Sequence, residues 1–139
     1  MVNTFKGKKG RKVGASIKDI LDLYGEKAAE AARQSIKENA EILAAAAKEL
    51  CPVEKGLYRG RQFKLKHPGR LRDSIHIEQG QKKDTVLVVA DATDDKGYCY
   101  ARIIEYGPRG TPFMTPAYEA KKIEMINHSK DVIRAAIRQ

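Results

Sequence analysis

From Ile17 onward, apolar residues return every three or four positions: Ile17, Leu21, Tyr24, Ala28, Ala31, Ile36, Leu43, Ala47 and Leu50. Lys, Glu, Arg and Gln fill the gaps, so the spacing predicts a long amphipathic helix with one polar face. Ser16, followed three positions on by Asp19, predicts an N-cap that satisfies the first free N–H groups. Gly25 disfavours helix and predicts a short first helix split from the long one. Pro52 ends the long helix. Small residues at Ala28, Ala31, Ala32 and 44–47 would let it lie close against a sheet.

Beyond Pro52 the pattern changes. Residues 56–69 are rich in Gly, Lys and Arg and close on His67-Pro68-Gly69, which predicts a loop. Leu71, Ile75 and Ile77 fall partly in alternation and predict a strand over 71–77. Thr85 to Ala90 is the clearest strand, a β-branched run with polar residues on both sides. Gln79 to Asp84 then reads as their hairpin connection, and Asp91 to Gly97 as a polar turn. Tyr98 to Tyr106 predicts a strand start passing into a short helix at Tyr100, with Gly107 as a left-handed C-cap. Thr115 at the N-cap and Pro116 at the first helical position predict a last helix with Ala120, Ile123, Ile126, Ile133 and Ile137 on one face.

Length bounds the domain count: 139 residues make one core, not two. Residues 1–15 carry three glycines among lysines and only Val2, Phe5 and Val13 to bury, which predicts a flexible basic arm on a single domain of residues 16–139. The 42% hydrophobic share is that of an ordinary soluble domain. No apolar run approaches the roughly 20 residues of a membrane helix, and the N-terminus opens on charges rather than a secretory signal. These features predict a protein kept in a cytosol, with no membrane partner.

The net charge of +9 changes the picture most. It favours nucleic acid or acidic protein surfaces as partners. The cations are concentrated: Lys8, Lys9 and Arg11 in the arm, and Arg59, Arg61, Lys64 and Lys66 in the loop, are the candidate contacts to phosphate or to an acidic surface. No base-reading module accompanies them.

Candidate chemistry is sparse. Cys51 and Cys99 have no metal-ligand or redox spacing and read as buried reduced thiols, with a disulfide as the alternative. His67, His76 and His128 show no ligand spacing, so structural roles are expected of them. A ribonuclease-like His67/His76 pair is conceivable chemically, but nothing in the pattern favours it. Asp73 and Ser74 lack a nucleophile elbow and read as capping or strand-edge groups. No catalytic, metal or cofactor site is expected. Glu105, between Ile104 and Tyr106, reads either as a partly buried acid paired with Arg70 or Arg72, or as a solvated helix-end glutamate. Pro112-Phe113-Met114 would anchor the last helix in the core or, if exposed, form a subunit contact.

Four stretches stand in a telling order: Ala47-Lys48-Glu49-Leu50-Cys51-Pro52-Val53-Glu54-Lys55-Gly56, Gly69-Arg70-Leu71-Arg72-Asp73-Ser74-Ile75, Tyr100-Ala101-Arg102-Ile103-Ile104-Glu105-Tyr106-Gly107, and Pro112-Phe113-Met114-Thr115-Pro116-Ala117. Together they resemble the gene-ten-like tail-component family of long-tailed bacteriophages, small head–tail junction proteins related to tail-completion and tail-terminator proteins. The resemblance runs from about Ala28 to the end. A proline-to-glycine turn and Leu-Arg-x-Ser stretch match Pro52, Gly56, Leu71, Arg72 and Ser74. The later pattern matches Tyr100, Ala101, Glu105, Tyr106, Gly107, Pro112, Phe113, Pro116 and Ala117. Lys55 departs from the threonine or serine of many relatives, and Leu57 to His67 separates two pieces that are often contiguous.

The resemblance implies an α+β fold, with a long N-terminal helix and a C-terminal helix packed on a small antiparallel sheet. It implies a non-enzymatic virion protein, assembled in the host bacterial cytoplasm, that closes a homo-oligomeric ring at the head–tail junction. Its partners would be head–tail connector and tail-tube proteins, with DNA passing non-specifically through the ring. A basic nucleic-acid-binding protein acting as a monomer is the reading from a different class, and a small nuclease is the third.

Overall fold

The computed structural model describes residues 16–138. The expected arm of residues 1–15, with Lys8, Lys9 and Arg11, lies outside the described residues. The elements in order are helices α1 (Ile17–Tyr24) and α2 (Glu26–Leu50), strands β1 (Lys55–Tyr58) and β2 (Arg61–Lys64), helix α3 (Arg70–Ser74), strands β3 (Ile75–Gln79) and β4 (Val86–Ala90), and helices α4 (Ala101–Tyr106) and α5 (Met114–Ile137). The α+β class expected from the resemblance is the one observed, with long helices near both ends. The strands form two separate two-stranded antiparallel sheets. The described chain divides into two compact units, one of residues 16–42, 77–88 and 122–138, the other of residues 43–76 and 89–121.

In the first unit, the local signals act as the sequence predicts. Ser16 Oγ accepts from the Asp19 N–H at 3.1 Å, while the Asp19 carboxylate accepts from the Ser16 N–H at 3.3 Å. Two free helix donors are thereby satisfied. Gly25 separates α1 from α2. The buried row of α2 here is Ala28, Ala29, Ala32, Ser35, Ile36, Asn39 and Ala40, whereas Leu21 and Tyr24 of the predicted stripe are exposed. Asn39 donates through Nδ2 to Ser129 Oγ at 2.8 Å and to the Met125 carbonyl at 3.2 Å, fixing α2 against the later part of α5. Arg33 spans Glu26 at 3.1 Å and Asp84 at 3.0 Å.

The turn between β3 and β4 is held by the Gln79 side-chain amide, which donates to the carbonyls of Lys82, Lys83 and Thr85. Val86 and Val88 are buried in the alternation a half-covered strand requires.

The predicted apolar face of α5 is not the buried one. Met125 and Ser129, one helical row four residues apart, are buried, while Ile123 is 72% exposed and Ala120 and Ile137 are also open. Positions 123 and 125 point to nearly opposite sides of a helix, and Met125 occupies the inner one.

The second unit holds three departures from expectation. Residues 56–69 are not a plain loop: β1 and β2 pair antiparallel, with Lys55 opposite Lys64, Gly56 opposite Phe63, Leu57 opposite Gln62 and Tyr58 opposite Arg61. The connecting residues Arg59 and Gly60 both take positive φ, 51° and 76°. That is what a two-residue hairpin turn demands when its twist matches its strands. Residues 71–74 are helical, not extended. The Asp73 N–H bonds the Gly69 carbonyl at 2.9 Å, and the strand starts only at Ile75. The Leu71-to-Ile75 spacing is a helical step of four, and both side chains are buried. Before α4 there is a single bridge between Thr93 and Cys99 rather than a strand start.

Candidate functional site

The second unit carries its chemistry on three pieces: the end of α4, the start of α5 and the β1–β2 hairpin. The buried Glu105, one residue before the end of α4, sits below the first turn of α5. Its carboxylate accepts from the N–H groups of Phe113 at 2.8 Å, Met114 at 2.9 Å and Thr115 at 2.7 Å. A helix start leaves its first N–H groups unpaired, and they carry the positive end of the helix dipole. One carboxylate therefore closes three of them. This replaces two expectations. Glu105 takes neither Arg70 nor Arg72 as its partner, and it is not solvated. Thr115 lies inside α5 rather than capping it, with Pro116 two residues past the first helical position.

Phe113 is fully buried and Met114 nearly so, which makes this stretch a core anchor rather than an exposed subunit contact. Gly107 takes extended backbone, not the expected left-handed C-cap. Its need for glycine is steric, since a Cβ there would stand 2.4 Å from the Ile103 carbonyl and 3.1 Å from the Tyr58 ring.

The hairpin docks on the turn that follows Gly107. Arg59 donates its N–H to the Pro108 carbonyl at 2.7 Å, Gly60 to the Arg109 carbonyl at 3.2 Å, and Leu57 to Thr111 Oγ1 at 2.6 Å. Gly56 lies beneath the Phe63 ring, where a Cβ would come within 2.8 Å of a ring carbon.

Lys66, His67 and Arg70 are gathered around Asp95, and the remaining candidate residues have other surroundings. The Asp95 carboxylate meets Lys66 at 2.5 Å and His67 at 2.9 Å, with Arg70 at 3.9 Å. Lys66 and His67 hold the Asp95 carboxyl down at about 2. Arg70 also donates to the Thr93 carbonyl at 3.1 Å, and Arg72 pairs with its neighbour Asp73 at 3.3 Å. Ser74 Oγ donates to the Leu71 carbonyl at 2.6 Å. Leu71 and Ala101 are buried, and burial pushes the Tyr100 hydroxyl up.

The three histidines have separate partners: Asp95 for His67, the Ser74 carbonyl for His76 and Glu38 for His128. Cys51 is buried and its thiol is pushed up to about 12 by that burial, whereas Cys99 is exposed, contrary to the expectation for it. Both are free thiols.

Sequence reasoning missed Arg109, Thr111 and Asp95. Thr111 and Asp95 act through partners 54 and 28 residues away, beyond the reach of any local pattern. Among the described residues, no helix is long and apolar enough to cross a membrane.

Residues 15–107 match the protein family described as "Bacteriophage HK97-gp10, putative tail-component". The match takes in more than half of the chain, and the protein belongs to this family. It is thus a structural component of the bacteriophage tail, with its place in the virion. The matched span holds Pro52, Gly56, Leu71, Arg72, Ser74, Tyr100, Ala101, Glu105 and Gly107, and stops short of Phe113 and Pro116. No curated protein and no solved structure matched the chain.

Proposed function

We propose that this protein closes as a homo-oligomeric ring where tail meets head, completing or terminating the tail or joining it to the head, without catalysis. Family membership is the observation that carries the reading. A ring also requires two different patches, one on each side of the subunit, because one self-complementary patch would stop at a dimer. Leu23 on α1 and Ile123 on α5, 74% and 72% exposed, are apolar side chains that a neighbouring subunit would cover. The partners in this reading are copies of the chain, head–tail connector and tail-tube proteins, and the DNA threaded through. Assembly would take place in the host cytoplasm.

The test is genetic and then biochemical. A phage lacking the protein should make filled heads and separate tail structures but few joined particles, and purified protein added to that extract should restore joining. Normal yields of infectious particles from the deletion would remove the proposal. A basic nucleic-acid-binding monomer is the second reading, favoured by Arg59 and Arg61 of the hairpin, which have no ion-pair partner among the described residues. Light scattering after size exclusion, with and without DNA, separates the two: a ring keeps its multiple mass in either case, and a monomer does not.

A further inference from the structure

Two groups of cations lie around the loops of the second unit. Lys66, His67 and Arg70 surround Asp95, and Arg72 pairs with Asp73. The hairpin tip is different. Arg59 and Arg61 flank Gly60, and the Arg109 guanidinium lies over the same glycine, 3.5 Å from where a Cβ would stand. Lys55 and Lys64 face each other at the hairpin's base. All five are exposed, and none has an ion-pair partner among the described residues. Three arginines thus belong to one pair of joined turns, with no ion-paired carboxylate among the described residues.

The gathering is built, not incidental. Backbone hydrogen bonds to Pro108 and Arg109 and the bond to Thr111 hold the two turns together. Arg59 and Arg109 both occupy the left-handed region, at φ 51° and 45°. Arg59 lies over the Tyr58 ring, 5.4 Å from its centroid, which orients the planar group. Such a platform carries its ordering cost before any ligand arrives.

From this geometry we infer that Arg59, Arg61 and Arg109 grip the phosphate backbone of duplex DNA without reading its sequence. Guanidinium matches phosphate oxygens in paired hydrogen bonds. A duplex presents closely spaced negative charge, able to neutralise several arginines of one turn together. A protein surface seldom does so, since charged residues are depleted at interface cores. The contact is to phosphate oxygens, which carry no sequence information, so it positions DNA rather than selecting it. The inference deepens the junction reading by naming where threaded DNA would be held, but its chemistry is tested apart from assembly.

The experiment uses the full chain and a short fluorescent duplex of mixed sequence, titrated over a range of salt. The tip variant carries R59N, R61Q and R109N, with asparagine chosen because it accepts positive φ. A control, K27Q with K48Q and K130Q, removes three exposed cations elsewhere, so both variants have the same net charge. Wild type should bind with a steep salt dependence. In the tip variant the slope of log affinity against log salt should shrink by about 2.7, at about 0.9 per lost phosphate contact. Its low-salt affinity should fall by tenfold or more, roughly, with the control changed much less. Equal weakening in both variants would assign binding to bulk charge and overturn the inference. Absence of wild-type binding would overturn it too, as would arginine-dependent preference for polyglutamate over DNA. Thermal melting confirms that both variants fold. Light scattering of the same variants reads assembly, so loss of DNA binding with assembly intact bears on the tip alone.

Discussion

The Glu105 carboxylate accepts from the Phe113 N–H at 2.8 Å, so the acid that closes α4 also opens α5. The side chain is buried, and the amides of Met114 and Thr115 meet the same group. Phe113, the largest fully buried side chain described, is held in place by the backbone bond made at its own nitrogen.

Replacing Glu105 with alanine is expected to lower unfolding stability by about 3 kcal/mol, since buried hydrogen bonds to a charged group contribute about 1.5–3 kcal/mol each and water recovers part. Glutamine keeps the shape but turns an NH2 group toward N–H donors, so it should recover less than half of the loss. Urea unfolding curves measure both. Wild-type midpoints in the alanine variant would show that the three amides find other acceptors.

Asn39 Oδ1 is buried without a hydrogen-bond partner among the described residues, while Nδ2 is committed to Met125 and Ser129. Asn39→Asp sets a second acceptor against the Met125 carbonyl and should cost about 2–4 kcal/mol at neutral pH. Asn39→Leu removes the orphaned oxygen together with the donor and should cost less. The aspartate variant should regain stability as pH falls, because its buried carboxyl titrates above the unfolded one and is neutral in acid. Thermal melts of both variants across pH test the order.

Asp95 sets a different acid limit. Its carboxyl titrates at about 2 in the folded chain against an ordinary 3.8, through its bonds to Lys66 and His67. A depressed carboxylate contributes stability that is complete above the ordinary value and lost as pH falls toward the folded one. Tethering of the 91–99 segment should therefore hold at pH 5 and weaken between about pH 4 and 2. Asp95→Asn should abolish that step. NMR signals of the Lys66 and His67 side chains, which meet the Asp95 carboxylate directly, report it; a pH profile unchanged by the substitution would locate the acid sensitivity elsewhere.

How much of this was legible depended on whether the responsible chemistry was local. Ser16 with Asp19, Gly25 and Pro52 act within a few residues of themselves, and the helix limits they predict are those observed. The hairpin was hidden because its turn is Arg-Gly rather than Asn-Gly, and because basic residues mask the short alternation in its strands. At 71–77, a helical step from Leu71 to Ile75 and a strand step from Ile75 to Ile77 share one residue, so the apolar spacing fits a strand throughout although only the part from Ile75 is one. The start of α5 looked like a Thr115 cap, since the true cap lies ten residues upstream and no window on the sequence shows it. The inward face of α5 is set by Asn39, whose bonds to Ser129 and Met125 cross about ninety residues of chain.

Gly56 and Phe63 offer a test of cross-strand fit. Gly56→Ala brings a methyl within 2.8 Å of the Phe63 ring and should destabilise by about 1–2 kcal/mol. With Phe63→Leu also present, the alanine should be nearly neutral, giving a coupling of about 1 kcal/mol in a double-mutant cycle. Additive effects would mean that the ring does not lie over the glycine in solution.

The family match ends at Gly107, two residues after the carboxylate and six before the first amide it holds. A chimera spliced at that boundary would inherit an acid whose three donors had stayed behind with the other parent. Unless the incoming tail brought its own helix start to the same point, a bare charge would be left inside the fold. A graft cut within α5, beyond Thr115, keeps donor and acceptor in one piece, so swaps among tail components should be cut there.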